Sequence, residues 1–186
     1  MKGVIEETGY GKDNKMRQIF MNQLLGFVLA LGLTAPVAAQ QFVAPQDDAL
    51  LTVSGEIAQT NVGETLVLDR EMLMALPATT FQTSTIWTDG VHSFTGVALS
   101  DLVGLLGVSD GTISATAIND YSVEIPLSDA QPGGPIIAYH LDGQPMSVRE
   151  KGPLWVIYPY DSEAKFRTEV IYSRSIWQLD RLAVVQ

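Results

Sequence analysis

The residues that could do chemistry are few, and their types narrow the choice at once. None of the 186 residues is cysteine. That removes disulfides, thiolate metal sites, iron–sulfur clusters and cysteine nucleophiles together. Two histidines remain, His92 and His140, and a zinc site built from them would need carboxylates to complete it. His92 follows the Asp89-Gly90 turn and reads as exposed; His140 alternates with Tyr139 on a strand and reads as structural. Asp120 and Glu124 offer an acid–base pair only if they share a strand face, and isolated carboxylates are usually solvated. There is no G-x-S-x-G, H-E-x-x-H, G-x-x-x-x-G-K or G-x-G-x-x-G motif. Gln131-Pro-Gly-Gly-Pro135 is a turn cluster, because neither a helix nor a lysine follows it.

Charge gives a weaker pointer. Acidic residues outnumber basic ones 21 to 11, for a net charge of −10, which argues against non-specific nucleic-acid binding. Beyond residue 39 there are seven cations, and six of them fall in the last 38 positions: Arg149, Lys151, Lys165, Arg167, Arg174 and Arg181. Such a cluster reads either as a solvated face balanced by carboxylates or as the donor half of a site for an electron-rich ligand.

Those residues must be positioned by short elements. Leu50–Ile57 and Glu64–Leu68 read as strands, and Asp69 as the N-cap of a short helix through Ala75 that Pro77 ends. Thr80–Trp87 is rich in β-branched and aromatic residues and reads as a strand, with a turn at Asp89-Gly90. Ser100 is placed to cap a second helix through Leu106, stopped by Gly107. Thr112–Ile118, Tyr121–Ile125, Pro135–Tyr139, Leu154–Tyr158 and Ser175–Leu182 complete the strands, with Asp142-Gly143 as a hairpin turn. Many short strands, two short helices and no βαβ alternation predict an α+β domain with a mainly β core over 40–186.

Ahead of that domain, Lys12, Lys15 and Arg17 precede an apolar run from Leu24 to Leu33, and Val37-Ala-Ala39 supplies a small-residue site. This pattern reads as a secretory signal peptide over 1–39, cleaved before Gln40, and the ten-residue run is half of what a membrane span needs. Glu6, Glu7 and Asp13 suit such a leader poorly, which makes Met16 and Met21 alternative starts. The expectation is a periplasmic protein with no membrane span after processing.

Several blocks then follow one another in a telling order. Thr52-Val-Ser-Gly-Glu-Ile57 and Gly63-Glu-Thr-Leu-Val-Leu68 lead into Asp69-Arg-Glu-Met-Leu-Met-Ala-Leu-Pro77. Next come Thr95-Gly-Val-Ala-Leu-Ser-Asp-Leu-Val-Gly-Leu-Leu-Gly-Val108, Ala138-Tyr-His-Leu-Asp-Gly-Gln-Pro-Met146 and Lys151-Gly-Pro-Leu-Trp-Val-Ile-Tyr-Pro159. In order and spacing, from about Leu50 to Leu182, this resembles the molybdopterin-binding domain of the sulfite oxidase family. The resemblance implies that family's fold. It also exposes a departure, because the family's molybdenum-ligating cysteine would fall at or next to Trp87. Without a thiolate, oxotransferase chemistry loses its metal ligand.

The chain resembles a cysteine-free, exported subset of that family, and the resemblance implies a reduced pterin as ligand rather than the molybdenum cofactor. It also implies a sensing role beside the periplasmic domain of a membrane protein that makes or degrades cyclic-di-GMP. A flat pterin needs an aromatic wall and fixed polar partners at its edge. Candidates are Trp87 for stacking, Asn119, Asp120 and Tyr121 at a turn, Lys151 with the Gly152 amide, and Arg174 and Trp177. Each has a plainer reading: Trp87 and Trp177 as core aromatics, Asn119-Asp120 as a hairpin turn, Lys151 as a solvated cation. The rival functions are a molybdenum-cofactor oxidoreductase or cofactor-holding subunit, and an interaction domain without a ligand.

Overall fold

Alternation of large apolar and small polar side chains writes most of the architecture. The computed structural model describes Gly3 and residues 42–185. The proposed leader and its processing site lie outside the described residues. β1 (Leu51–Gly55) turns Leu51 and Val53 inward and β2 (Leu66–Leu68) turns Leu66 and Leu68, all four fully buried. Period-two burial of this kind is what a half-buried strand requires. β5 (Thr112–Ala117) repeats it with Ile113, Ala115 and Ala117, and β10 (Leu179–Val185) with Leu182 and Val184. With β6 (Ser122–Pro126) these form a five-stranded sheet in the order β2-β1-β10-β5-β6, parallel only between β1 and β10.

A second sheet runs β3 (Ala78–Ser84), β4 (Val91–Ala98), β7 (Ile136–Leu141) and β8 (Gln144–Pro145), and β9 (Trp155–Ile157) also pairs with β7. Asp142 and Gly143 both take positive φ and close the tight β7–β8 turn, as the sequence predicts. A register shift sits between Thr95 and Gly96 on β4, and a Cβ on Gly96 would lie 2.1 Å from the Ile137 carbonyl oxygen. Close approach of β7 therefore demands glycine here. The α+β class with a mainly β core is what the molecule shows.

Three local expectations are corrected. Thr80–Trp87 is not strand to its end: β3 stops at Ser84, and residues 85–90 form a loop that carries Trp87. Ser100 does not cap α2 (Leu99–Leu106); Ala98 occupies that position without a side-chain bond, because β4 runs straight into the helix. Ser175–Leu182 is not one strand. Ser175 is the C-cap of α3 (Glu169–Arg174), and β10 begins only at Leu179. By contrast α1 (Arg70–Met74) has the expected cap: Asp69 accepts from the Met72 amide at 2.9 Å, which lowers the Asp69 pKa despite its burial.

Candidate functional site

Loop 85–90 holds its indole through two side chains. The Thr85 hydroxyl oxygen accepts from the amides of Trp87 and Thr88, each at 3.0 Å. At the other end, His92 Nε2 lies 2.9 Å from the Asp89 carbonyl oxygen. Trp87 then enters a knot of rings. Its centroid is 5.7 Å from Trp155, 5.7 Å from Trp177, 5.9 Å from Tyr172 and 6.3 Å from Tyr160, all edge-on. Such edge-to-face contacts are favourable and hold the indole from several sides.

The remaining walls come from chain segments far apart in sequence. Residues 176–178 are pinned on both sides: Val156 donates to the Ile176 carbonyl at 2.8 Å, Gln178 to the Lys151 carbonyl at 3.1 Å, and Ile118 to the Gln178 carbonyl at 2.9 Å. This brings Trp177 beside the turn between β5 and β6. The result is a cavity of about 440 Å³ lined by Trp87, Trp177, Tyr121 and Tyr172, with Asn119, Ser173, Ser175 and Gln178 as polar members and Ala117 and Ile176 between them. Its size falls within the usual range for small-molecule sites, about 300–1,000 Å³. No Asp, Glu, Lys, Arg or His lines it.

Four of the candidates read from sequence thus gather here: Trp87, Asn119, Tyr121 and Trp177. The Asn119 side-chain oxygen accepts from the Tyr121 amide at 3.2 Å, which leaves its NH₂ group for another partner. The other four stand elsewhere. Arg174 donates to Asp129 at 2.9 Å, and the same carboxylate oxygen accepts from the Tyr158 hydroxyl at 2.7 Å. Its guanidinium is spent on a partly buried structural pair. Asp120, at φ 65°, accepts from Arg181 at 2.7 Å and belongs to a surface clamp on the β5–β6 turn. The Gly152 amide, expected to meet ligand, donates to the Ser147 carbonyl at 2.7 Å. Lys151 lines a neighbouring cavity, its ammonium 5.5 Å from the Trp177 ring centroid and 5.8 Å from that of Trp155.

Tyr172 and Ser173 join the site from α3, an element absent from the sequence reading, and Ser175 and Gln178 from the segment that the sequence reading takes as a strand. Thr168 followed by Glu169 was the available signal: the Thr168 hydroxyl caps the helix by accepting from Ile171 at 3.3 Å. Behind the cavity the Tyr160 hydroxyl donates to Ser175 Oγ at 2.6 Å, which donates on to the Ile171 carbonyl. Burial pushes the Tyr160 pKa up to about 12, and burial beside Asp129 drives Tyr158 higher still. Both phenols stay neutral, and the wall they form is fixed.

No protein-family model and no curated protein sequence matches the chain. Among solved structures, the fold is similar to that of the sulfane dehydrogenase SoxCD from Paracoccus pantotrophus. The TM-score is 0.55 at 18% identity, over 77% of this chain and 40% of that one. The chain therefore shares a fold with part of a larger protein. At that identity the likeness concerns the fold alone.

Proposed function

We propose that this protein binds a reduced pterin and performs no redox catalysis of its own. The observation that carries the reading is the cavity itself: two indoles and two phenol rings around uncharged hydrogen-bonding groups, which suits a flat neutral heterocycle with a polar edge. Trp87 would stack on the ring and Trp177, at 69° to it, would meet the ligand edge-on, while the Asn119 NH₂ group and the Gln178 side-chain oxygen, whose own NH₂ donates to the Val148 carbonyl, would read the ring edge. A sulfite-oxidase-type molybdopterin-binding fold is the finer form of the proposal. The order of the sequence blocks and the likeness to a sulfane dehydrogenase support it.

The molybdenum cofactor fits these residues poorly. The lining offers no thiolate, imidazole or carboxylate to a metal, and the sequence holds no cysteine. The proposal extends to place and partner: a periplasmic protein, released from its 1–39 leader, that reports pterin occupancy to the periplasmic domain of a cyclic-di-GMP-controlling membrane protein. The basic start and short apolar run support the location, and the sequence resemblance supports the partner. Native mass spectrometry of protein isolated from its own periplasm tests the whole reading. The expected spectrum shows a chain beginning at or near Gln40, carrying a pterin and well under one molybdenum per chain. Stoichiometric molybdenum, or a preparation that neither carries nor takes up a pterin, would overturn it.

A further inference from the structure

The loop that presents Trp87 has an unusual fastening. His92 faces two acceptors and no donor: Nδ1 lies 2.7 Å from an Asp142 carboxylate oxygen, and Nε2 lies 2.9 Å from the Asp89 carbonyl oxygen. A neutral imidazole has one N–H and satisfies only one of them; both bonds require the imidazolium. Resting on the reading that Trp87 walls the pterin site, we infer that His92 is a positioning residue, a two-donor latch that holds loop 85–90 in its ligand-accepting shape while the ring is protonated.

The chemistry decides which bond fails on deprotonation. The carboxylate is the stronger acceptor, so the remaining proton stays on Nδ1. The Nε2 lone pair then faces the Asp89 carbonyl at 2.9 Å, and two acceptors at that distance repel. Asp142 keeps its own place, because it also accepts from the Ser93 amide at 2.9 Å. The loop end, not the β7–β8 turn, is what lets go. Thr85 still fastens the other end, so the loop shifts without unfolding.

The charges around the ring agree with this. From the β7–β8 turn it meets the Asp142 carboxylate, from the loop it meets the uncharged backbone carbonyl of Asp89, and across to β3 its register partner is the uncharged Thr83. Beyond Asp142, the neighbouring cavity holds Arg149, Lys151 and Glu150, the last accepting from the Ser147 hydroxyl at 2.9 Å. Asp142 lines that cavity together with those two cations. The ring is also only partly exposed, with 25% of its side-chain surface open.

The test needs two readouts, one with ligand and one without. In ligand-free protein the indole N–H resonance of Trp87, assigned by its loss in Trp87→Phe, should move with the titration of His92. It should stay still in His92→Gln. Asp142→Asn should carry the transition to lower pH, an effect that a purely structural role would not produce. With dihydrobiopterin as probe under anaerobic conditions, wild-type affinity should fall about three- to tenfold between about pH 5.5 and about pH 8.5, the worth of one net hydrogen bond. In His92→Gln it should not change. A Trp87 resonance indifferent to His92, or identical affinity profiles in wild type and His92→Gln, overturns the latch. A Trp87 resonance that follows His92 while dihydrobiopterin binds at no pH leaves the latch standing and removes the pterin reading instead.

Discussion

Trp87 touches four aromatic rings, and none lies parallel to it. A flat ligand stacked on that indole would add a contact the protein itself does not make, worth roughly 0.5–1.5 kcal/mol beyond the area it buries. Trp87→Ala should therefore weaken dihydrobiopterin binding by about tenfold or more, read by calorimetry on protein whose thermal unfolding stays close to wild type. Arg174→Ala should do the reverse. It removes the guanidinium from Asp129, whose carboxylate also serves Tyr158, so unfolding should become easier by about 1.5–3 kcal/mol while affinity holds. Loss of affinity without loss of stability in that variant would return Arg174 to the site. The contrast is instructive for sequence reading: Arg174 and Trp177 are three positions apart, yet one serves the core and the other the cavity.

At the scale of elements, the cavity depends on how two irregular segments are held. Loop 85–90 replaces the strand that the β-branched run suggested, and Thr85 is what makes the break. By accepting from the amides of Trp87 and Thr88 it gives partners to two groups at the hairpin tip, beyond the last β3–β4 pair at Ser84 and Val91. Thr85→Val keeps the shape of the side chain and removes that acceptor. Expected is a loss of about 1–2 kcal/mol in denaturant unfolding, together with weaker ligand binding through the displaced indole. Retained affinity in the face of lost stability would mean that the loop does not position Trp87. Helix α3 supplies the opposite wall through Tyr172 and Ser173, and its Thr168 cap fixes where that wall begins. Thr168→Ala should cost about 1 kcal/mol, the usual worth of such a cap.

Across the whole molecule, titrating groups set a pH window for stability. Asp69, Asp142 and Asp161 all have pKa values lowered below 3.8: Asp69 by the Met72 amide, Asp142 by His92, and Asp161 by the Ser84 amide. Their contribution is present above 3.8 and is lost as pH falls through the lowered values. His92 runs the other way. Its bond to Asp142 raises its pKa above 6.5, so its contribution is complete below 6.5 and disappears as pH rises through the raised value. The difference in melting temperature between wild type and His92→Gln should accordingly be larger at about pH 5.5 than at about pH 8.5. An unchanged difference at the two pH values would show that His92 does not titrate in this range. No helix among the described residues is long and apolar enough to cross a membrane.

Local physics let the sequence by itself determine a good deal. Period-two burial placed β1, β2 and β5 on the core, Asp69 capped α1, and the Asp142-Gly143 pair made its turn, since each depends on neighbours in the chain. The absence of cysteine closed off thiolate chemistry before any fold was known. What only the tertiary structure decided is which polar groups were already spent. The Gly152 amide and the Arg174 guanidinium find partners 5 and 45 residues away, and nothing in their types or spacing announces it. Trp87, Tyr121, Tyr172 and Trp177 meet for the same reason. The pairing of 176–178 with Lys151, Val156 and Ile118 is non-local, and the free energy of a long-range contact is visible only once the chain has closed around it.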